Sequence, residues 1–230
     1  MAHSVLKTVL NLFFKPECPL CGRPAETEFC RYCQTQLLRC QFPEGGKFPG
    51  DVPVFVWGRY GGVLKRAIAA LKYDGNPHIA RQLGCWLADG WLGTLETLPQ
   101  NLTVVPIPLH PDKLKKRGFN QAELLARGFC ELTGLSLKPH GLERVRDTEA
   151  LHGLSSLERQ KSLKNALRVG KDCPSRSNSV LILDDIYTTG ATVNAAIQAF
   201  QKKRIPVAGV VALATTKSPP PRKRSRPQSN

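Results

Sequence analysis

Residues 180–192 read Val-Leu-Ile-Leu-Asp-Asp-Ile-Tyr-Thr-Thr-Gly-Ala-Thr, and they limit the fold more than any other stretch. Residues 180–183 are apolar with no polar alternation. That pattern predicts a strand covered on both faces, as in a parallel sheet between helices. Asp184 and Asp185 close the run. Thr188, Thr189, Gly190, Ala191 and Thr192 follow as a small hydroxylated loop, and Val193, Ala196, Ile197 and Phe200 then recur at helical spacing. In open α/β sheets ligands sit beyond the carboxyl ends of strands. A helix N-terminus offers free N–H groups and a favourable dipole to an anion. Carboxylates repel that anion, but they accept hydrogen bonds from a diol or hold hydrated Mg²⁺. The order therefore predicts an anion cradle beside a sugar-hydroxyl clamp, which suits a ribose 5-phosphate group. The alternative is a strand–turn–helix with a capping Asp or Thr and no ligand. The ligand reading requires that Tyr187 does not plug the cup and that the two acids are not tied into salt bridges away from solvent.

A second strand–polar loop–helix order lies upstream. Residues 103–108 predict a short buried strand ended by prolines. The loop behind it, residues 109–121, carries Lys113, Lys115, Lys116 and Arg117, then Gly118. A helix over 122–131 follows. If the two strands are neighbours in one sheet, this basic loop faces the first one and could contact a further phosphate. A solvated basic turn is the plainer alternative. Further helices are expected over 63–72 and 79–92, and strands over 54–60 and 207–214. Residues 141–168 are polar and poorly periodic, which suits a flap over the site.

Cys18, Cys21, Cys30 and Cys33 form two Cys-x-x-Cys pairs separated by eight residues. Two intervening residues let both sulfurs of a pair turn onto one tetrahedral ion, and four thiolates suit a closed structural Zn²⁺ site. The alternatives are disulfides or free thiols. Disulfides need an oxidising compartment, and no secretory signal is evident in residues 1–14, which read as an amphipathic helix. Cys40, Cys85, Cys130 and Cys173 have no such pairing and read as ordinary thiols. No apolar run is long enough to span a bilayer, so a cytoplasmic protein is expected. The division expected is residues 1–42 for the N-terminal helix and four-cysteine zinc module, 43–53 for a Pro/Gly-rich linker, 54–216 for the α/β domain and 217–230 for a basic disordered tail. With 33 Lys and Arg against 18 Asp and Glu, the chain has a formal charge of +15. Such a balance points to nucleic acid or phosphate-rich partners.

The 180–192 string resembles the phosphoribosyl-pyrophosphate (PRPP) motif of type I phosphoribosyltransferases. Taken with Cys18-Pro-Leu-Cys21-Gly, Leu71-Lys-Tyr73, Val105-Pro-Ile-Pro-Leu109, Arg117-Gly-Phe-Asn-Gln121, Arg144, Arg146, Thr148, Leu154 and Arg159, it resembles the ComF family, GntX-type proteins included, from Cys18 to about Thr216. The resemblance implies a type I phosphoribosyltransferase fold, a central parallel sheet flanked by helices, behind a small four-cysteine zinc module. It implies that Asp184 and Asp185 contact the PRPP ribose, and that Thr188, Thr189, Gly190, Ala191 and Thr192 hold its 5-phosphate. Lys113, Arg117, Arg144, Arg146 and Arg159 become candidates for the pyrophosphate and the flap, with Mg²⁺ accompanying PRPP. It also implies a link to DNA uptake in competence or to use of external DNA. Leu151 and Ser162 stand where the family usually has Gln and Asn, and Tyr187 is unusual for an active transferase. Phosphoribosyl transfer to an acceptor the sequence does not name is one function expected. The other is a non-catalytic PRPP or nucleotide sensor that binds single-stranded DNA or uptake proteins through its basic surface and zinc module.

Overall fold

The computed structural model describes residues 16–48, 50–97, 100–145, 166–172, 174–175 and 177–219. The expected N-terminal helix, the basic tail beyond 219, and the flap residues Arg146 and Arg159 lie outside them, as do Thr148, Leu151, Leu154 and Ser162. A six-stranded sheet runs in the order β1-β2-β8-β7-β3-β4. Its members are β1 (Gln41–Phe48), β2 (Val54–Arg59), β3 (Leu102–Pro106), β4 (Ser136–Leu137), β7 (Ser179–Tyr187) and β8 (Val207–Thr215). Every pairing is parallel except β1 with β2. A separate antiparallel ribbon joins β5 (Leu142–Arg144) to β6 (Leu167–Val169). It closes the base of the segment expected to be a flap.

The helices are α1 (Arg31–Leu38), α2 (Gly62–Tyr73), α3 (Ile79–Leu92), α4 (Pro111–Arg117), α5 (Gln121–Thr133) and α6 (Ala191–Lys202). Period-two alternation along β7 decides which layer each residue serves. Leu181 and Leu183 pack toward α2, α3 and α5, while Val180 and Ile182 pack toward α6. Both faces of the sheet are thus covered, as the unbroken apolar run requires. On the first face, α3 and α5 cross closely at two glycines. A Cβ on Gly84 would sit 2.2 Å from the Leu125 carbonyl oxygen, and one on Gly128 would sit 2.3 Å from that of Arg81.

Two expectations need correction. Residues 43–48, expected within the 43–53 linker, belong to the strand β1, which begins at Gln41. An edge strand tolerates proline and a bulge, and the register with β2 shifts between Gln41 and Gly46. The basic loop of residues 109–121 contains the short helix α4. His110 caps it, Pro111 opens it, and Gly118 ends it in the left-handed conformation at φ 84°. The four-cysteine module does not stand apart either. Cys18, Phe29, Cys33 and Leu37 share one apolar cluster with Trp57, Leu64 and Leu87 of the α/β layers.

The strand order fixes where a ligand can enter. From β3 the chain passes through α5 to β4 on one side; from the adjacent β7 it passes through α6 to β8 on the other. The helices α5 and α6 lie on opposite faces of the sheet. A crevice therefore opens beyond the carboxyl ends of β3 and β7, at the point where the winding reverses.

Candidate functional site

The acid pair lies at that crevice. The acids, expected at the strand's C-terminal end, lie near it, and the strand continues past them to Tyr187. Asp184 and Asp185 are both buried. The Asp185 backbone N–H donates to Asp184 Oδ1 at 2.8 Å. Gln121 Nε2 donates to Asp185 Oδ1 at 3.4 Å, and the Lys72 ammonium forms an ion pair with Asp185 Oδ2. Burial, and next the neighbouring Asp185 charge, push the Asp184 carboxyl well above the ordinary range; the Asp185 N–H and Lys72 oppose that rise.

Behind the acids the chain turns into α6. Gly190 sits at the helix N-cap with φ 86°, a conformation that favours glycine, and a Cβ there would meet Tyr187 Oη at 2.9 Å. Tyr187 is packed beneath the loop. Its ring lies 6.1 Å from Phe48, and Lys217 Nζ stands 4.8 Å from the ring centre. Thr188 and Thr189 stay exposed, and Ala191 and Thr192 form the first turn of α6. Of the two conditions the ligand reading set, the one on Tyr187 holds. The condition on the acids is not met at Asp185, which is buried and tied into an ion pair with Lys72.

The Arg117-Gly-Phe-Asn-Gln121 stretch is built into this arrangement residue by residue. Gly118 ends α4 and Phe119 packs on the core. Asn120 Oδ1 caps α5 by accepting from the Ala122 N–H at 3.1 Å, while its Nδ2 donates to the Ile107 carbonyl at 3.0 Å. Arg117 donates to Gln121 Oε1, and its guanidinium lies 5.2 Å from the centre of the Tyr73 ring. A relay thus runs from Tyr73 through Arg117 and Gln121 to Asp185, with Lys72 on its other oxygen. Beside it opens a cavity of about 480 Å³ lined by Lys72, Tyr73, Lys113, Lys116, Arg117 and Gln121 among others. Lys113, Lys116 and Arg117 belong to the loop expected to contact a phosphate; Lys72, Tyr73 and the side-chain role of Gln121 were not expected there. The signal for Lys72 was its place in Leu71-Lys-Tyr73. Arg144, the remaining described flap candidate, lies on β5. The ribbon that carries it packs with the α6 layer through Leu142 and Leu167. The cavity lies against α2 and α4, so Arg144 does not line it.

The four cysteines converge as their spacing predicts. The Cys18 carbonyl accepts from the N–H groups of Cys21 and Gly22 at 3.2 and 2.8 Å, and Cys30 opens α1, so that Cys33 falls in its first turn. All four sulfurs lie within 4.8 Å of one another, with Cys21 and Cys30 at 3.5 Å. Tetrahedral thiolates around a zinc-sized ion stand roughly 3.8 Å apart, so this group could hold a metal. The Cys33 backbone N–H, with the neighbouring thiols, brings Cys30 down to about 7 against its own burial, while burial pushes Cys33 up. Cys40, Cys85 and Cys130 lie outside the cluster, and burial raises Cys130 to about 12.

With the geometry in hand, similarity to known proteins is informative. No family model matches the chain. DNA utilization protein YhgH of Escherichia coli (strain K12) is 29% identical over 186 residues, covering 76% of this chain and 80% of that protein. Competence protein ComFC of Bacillus subtilis (strain 168) is 27% identical over 195 residues, covering 81% of this chain and 72% of that protein. Competence protein F of Haemophilus influenzae is 36% identical over 94 residues, 40% of each chain. Over most of its length the chain is similar to DNA utilization and competence proteins. Among solved structures, TT1426 from Thermus thermophilus overlays 59% of this chain and 83% of that one, at 14% identity and a TM-score of 0.29, too low for an argument to rest on it. The ComF resemblance therefore rests on sequence, and the mostly parallel α/β sheet is read from the strand pairings. Among the described residues, no helix is long and apolar enough to cross a membrane.

Two expectations follow for this chain. Metal analysis should find one divalent ion per chain, and Cys33→Ser should lower both metal content and the melting temperature of the whole chain, because Cys33 shares the main core. A variant that keeps its metal and melts like wild type contradicts this. The second concerns Asp184, whose folded carboxyl is shifted upward. From the ordinary carboxylate range to that raised value, the folded state holds a proton that the unfolded state has released, so stability falls as pH rises through the window. Asp184→Asn keeps an acceptor for the Asp185 N–H and removes this loss. It should melt above wild type at about pH 7 and close to it at about pH 4, near the unfolded carboxylate value. Equal melting at both pH values contradicts the assignment.

Proposed function

We propose that the chain binds PRPP with Mg²⁺ at the crevice beyond β3 and β7. Asp184 and Asp185 take the ribose hydroxyls, directly or through metal-bound water, and residues 188–192 hold the 5-phosphate. The observation that carries this reading is the buried acid pair with a hydroxylated helix-N-terminal loop on one side and a cationic cavity on the other. Neutral sugar hydroxyls suit the carboxylates, and the two phosphate-bearing ends suit the loop and the cations. Lys113 and Arg117 neutralise the pyrophosphate. Arg144, Arg146 and Arg159 belong to the segment expected to cover it. Mg²⁺ bound with PRPP supplies further charge neutralisation at the pyrophosphate. The acids fit it once Lys72 leaves Asp185, since Mg²⁺ retains waters and needs only one or two carboxylates. In the four-thiol cluster the fitting ion is structural Zn²⁺, with no coordination position left open for a reacting group.

The role we propose is in DNA uptake or the use of external DNA. The names of its DNA utilization and competence homologues support this, as does the +15 charge. A transferase would displace pyrophosphate from PRPP with an acceptor. The clamped state of Asp185 favours a second reading, a PRPP or nucleotide sensor without turnover. Exposed aromatics beside cations support single-strand binding in that case. These are Tyr73 under Arg117 and Tyr32 under Arg23 at 4.8 Å.

Calorimetry of PRPP with Mg²⁺ should give saturable binding by wild type and a loss of at least about tenfold in the Asp184→Asn/Asp185→Asn chain, the scale of one or two charge-assisted hydrogen bonds. No binding by wild type, or equal binding by both, removes the PRPP reading. Pyrophosphate release with a panel of bases and amines separates transferase from sensor. DNA binding that weakens steeply with salt and survives the double substitution supports the second reading.

A further inference from the structure

Lys72 contacts no ligand in the function argued so far, yet it faces two ways. Its ammonium is paired with Asp185, and its side chain, largely buried at 15% exposure, also lines the cavity that contains Lys113, Lys116 and Arg117. Among the described residues, no Asp or Glu lines that cavity. Gln121 faces both ways too, touching Asp185 with its Nε2 and accepting from Arg117 with its Oε1. We propose that Lys72 is a shared cation: an oxyanion entering the cavity competes with Asp185 for its ammonium, and Asp185 is released to accept ligand hydroxyls when Lys72 turns to the anion.

The ligand class is a small polyanion with closely spaced oxygens, such as inorganic pyrophosphate or the pyrophosphate end of a sugar phosphate. A volume of about 480 Å³ accommodates it. Arg117 is already oriented, its plane set by the Tyr73 ring and the Gln121 oxygen. Its fork can therefore meet two oxygens with little further loss of freedom. Lys72 is an anion-binding residue in this account. It rests on the reading of Asp185 as a ribose contact and adds a coupling. Because binding free energies are reciprocal, an anion in the cavity strengthens ribose binding by the same factor that ribose strengthens anion binding. An empty cavity keeps Asp185 occupied, so a ribose lacking a pyrophosphate meets a clamped carboxylate.

The test is metal-free titration of inorganic pyrophosphate into four full-length chains: wild type, Asp185→Asn, Lys72→Met and the double variant. Lys65→Met, an exposed lysine on the same helix, is the charge control. Asp185→Asn frees Lys72 and should tighten pyrophosphate several-fold. Lys72→Met should weaken it by about tenfold, as expected for losing one charge-assisted contact, with Lys65→Met close to wild type. Asp185→Asn should give no tightening in the Lys72→Met background. General electrostatic relief would tighten binding in both backgrounds, and that result overturns the proposal. Lys72→Met leaves Asp185 buried and unpaired, a change costly enough to threaten folding. If that variant fails to fold, the comparison of Asp185→Asn with the double variant decides, because those two chains differ only at Lys72. Equal pyrophosphate affinity in that pair overturns the proposal, as does an absence of pyrophosphate binding by wild type. Ribose 5-phosphate, titrated with and without saturating pyrophosphate, separates the two readings. If pyrophosphate obeys the cycle but ribose 5-phosphate never binds, the shared cation stands and the ribose assignment falls. If ribose 5-phosphate binds equally with and without pyrophosphate, the coupling is overturned while the ribose site stands.

Discussion

Two adjacent carboxylates at the end of a buried parallel strand are the constraint around which this molecule is arranged. Burying such a pair is costly unless each oxygen finds a partner. The partners come from three places in the chain: the strand's own backbone, Gln121 from the first turn of α5, and Lys72 from the last turn of α2. Each supporting helix is in turn fixed by the sheet layer beneath it. The acid pair thus ties the two helical segments that border the crevice to the strand that ends in it. Burial, and next the neighbouring Asp185 charge, push the Asp184 carboxyl well above its ordinary range.

The same contacts explain why the site is poised rather than open. The Lys72–Asp185 pair lies at the wall of the cationic cavity, where an incoming anion can offer Lys72 a second partner. Tyr187 fills the space under Gly190 from the α6 side. It supports the loop from behind and leaves the threonine hydroxyls at its surface. The four-cysteine module shares the apolar layer of α2 and α3. Trp86 stacks on both Phe29 and Trp57, at 5.8 and 6.2 Å, and joins the module to the sheet. Metal binding there bears on the stability of the layer that carries Lys72.

Much of this was legible in the sequence because hydrophobic periodicity is local. The runs at 180–183 and 207–214, and the helix over 79–92, declare themselves by pattern, and the cysteine spacing pointed to the four-sulfur cluster. Four features were not read from the pattern. The strand β7 runs on through Asp184 and Asp185 because tertiary partners satisfy them, which no local pattern records. The edge strand β1 hides behind Pro43, Gly45 and Gly46, residues an edge tolerates and a central strand does not. Helix α4 buries none of its side chains, so it has no periodicity to read. Its Pro111 and Gly118 were a usable start and stop signal. The role of Lys72 depends on a contact with a residue far along the chain, which only the fold supplies.

A crystal structure of the wild-type chain grown with Mg²⁺ and PRPP tests the central claim most directly. The account predicts the ribose hydroxyls within hydrogen-bonding reach of Asp184 and Asp185, directly or through metal-bound water, and Lys72 withdrawn from Asp185 toward the pyrophosphate. Ligand bound elsewhere, with Lys72 still on Asp185, would contradict it.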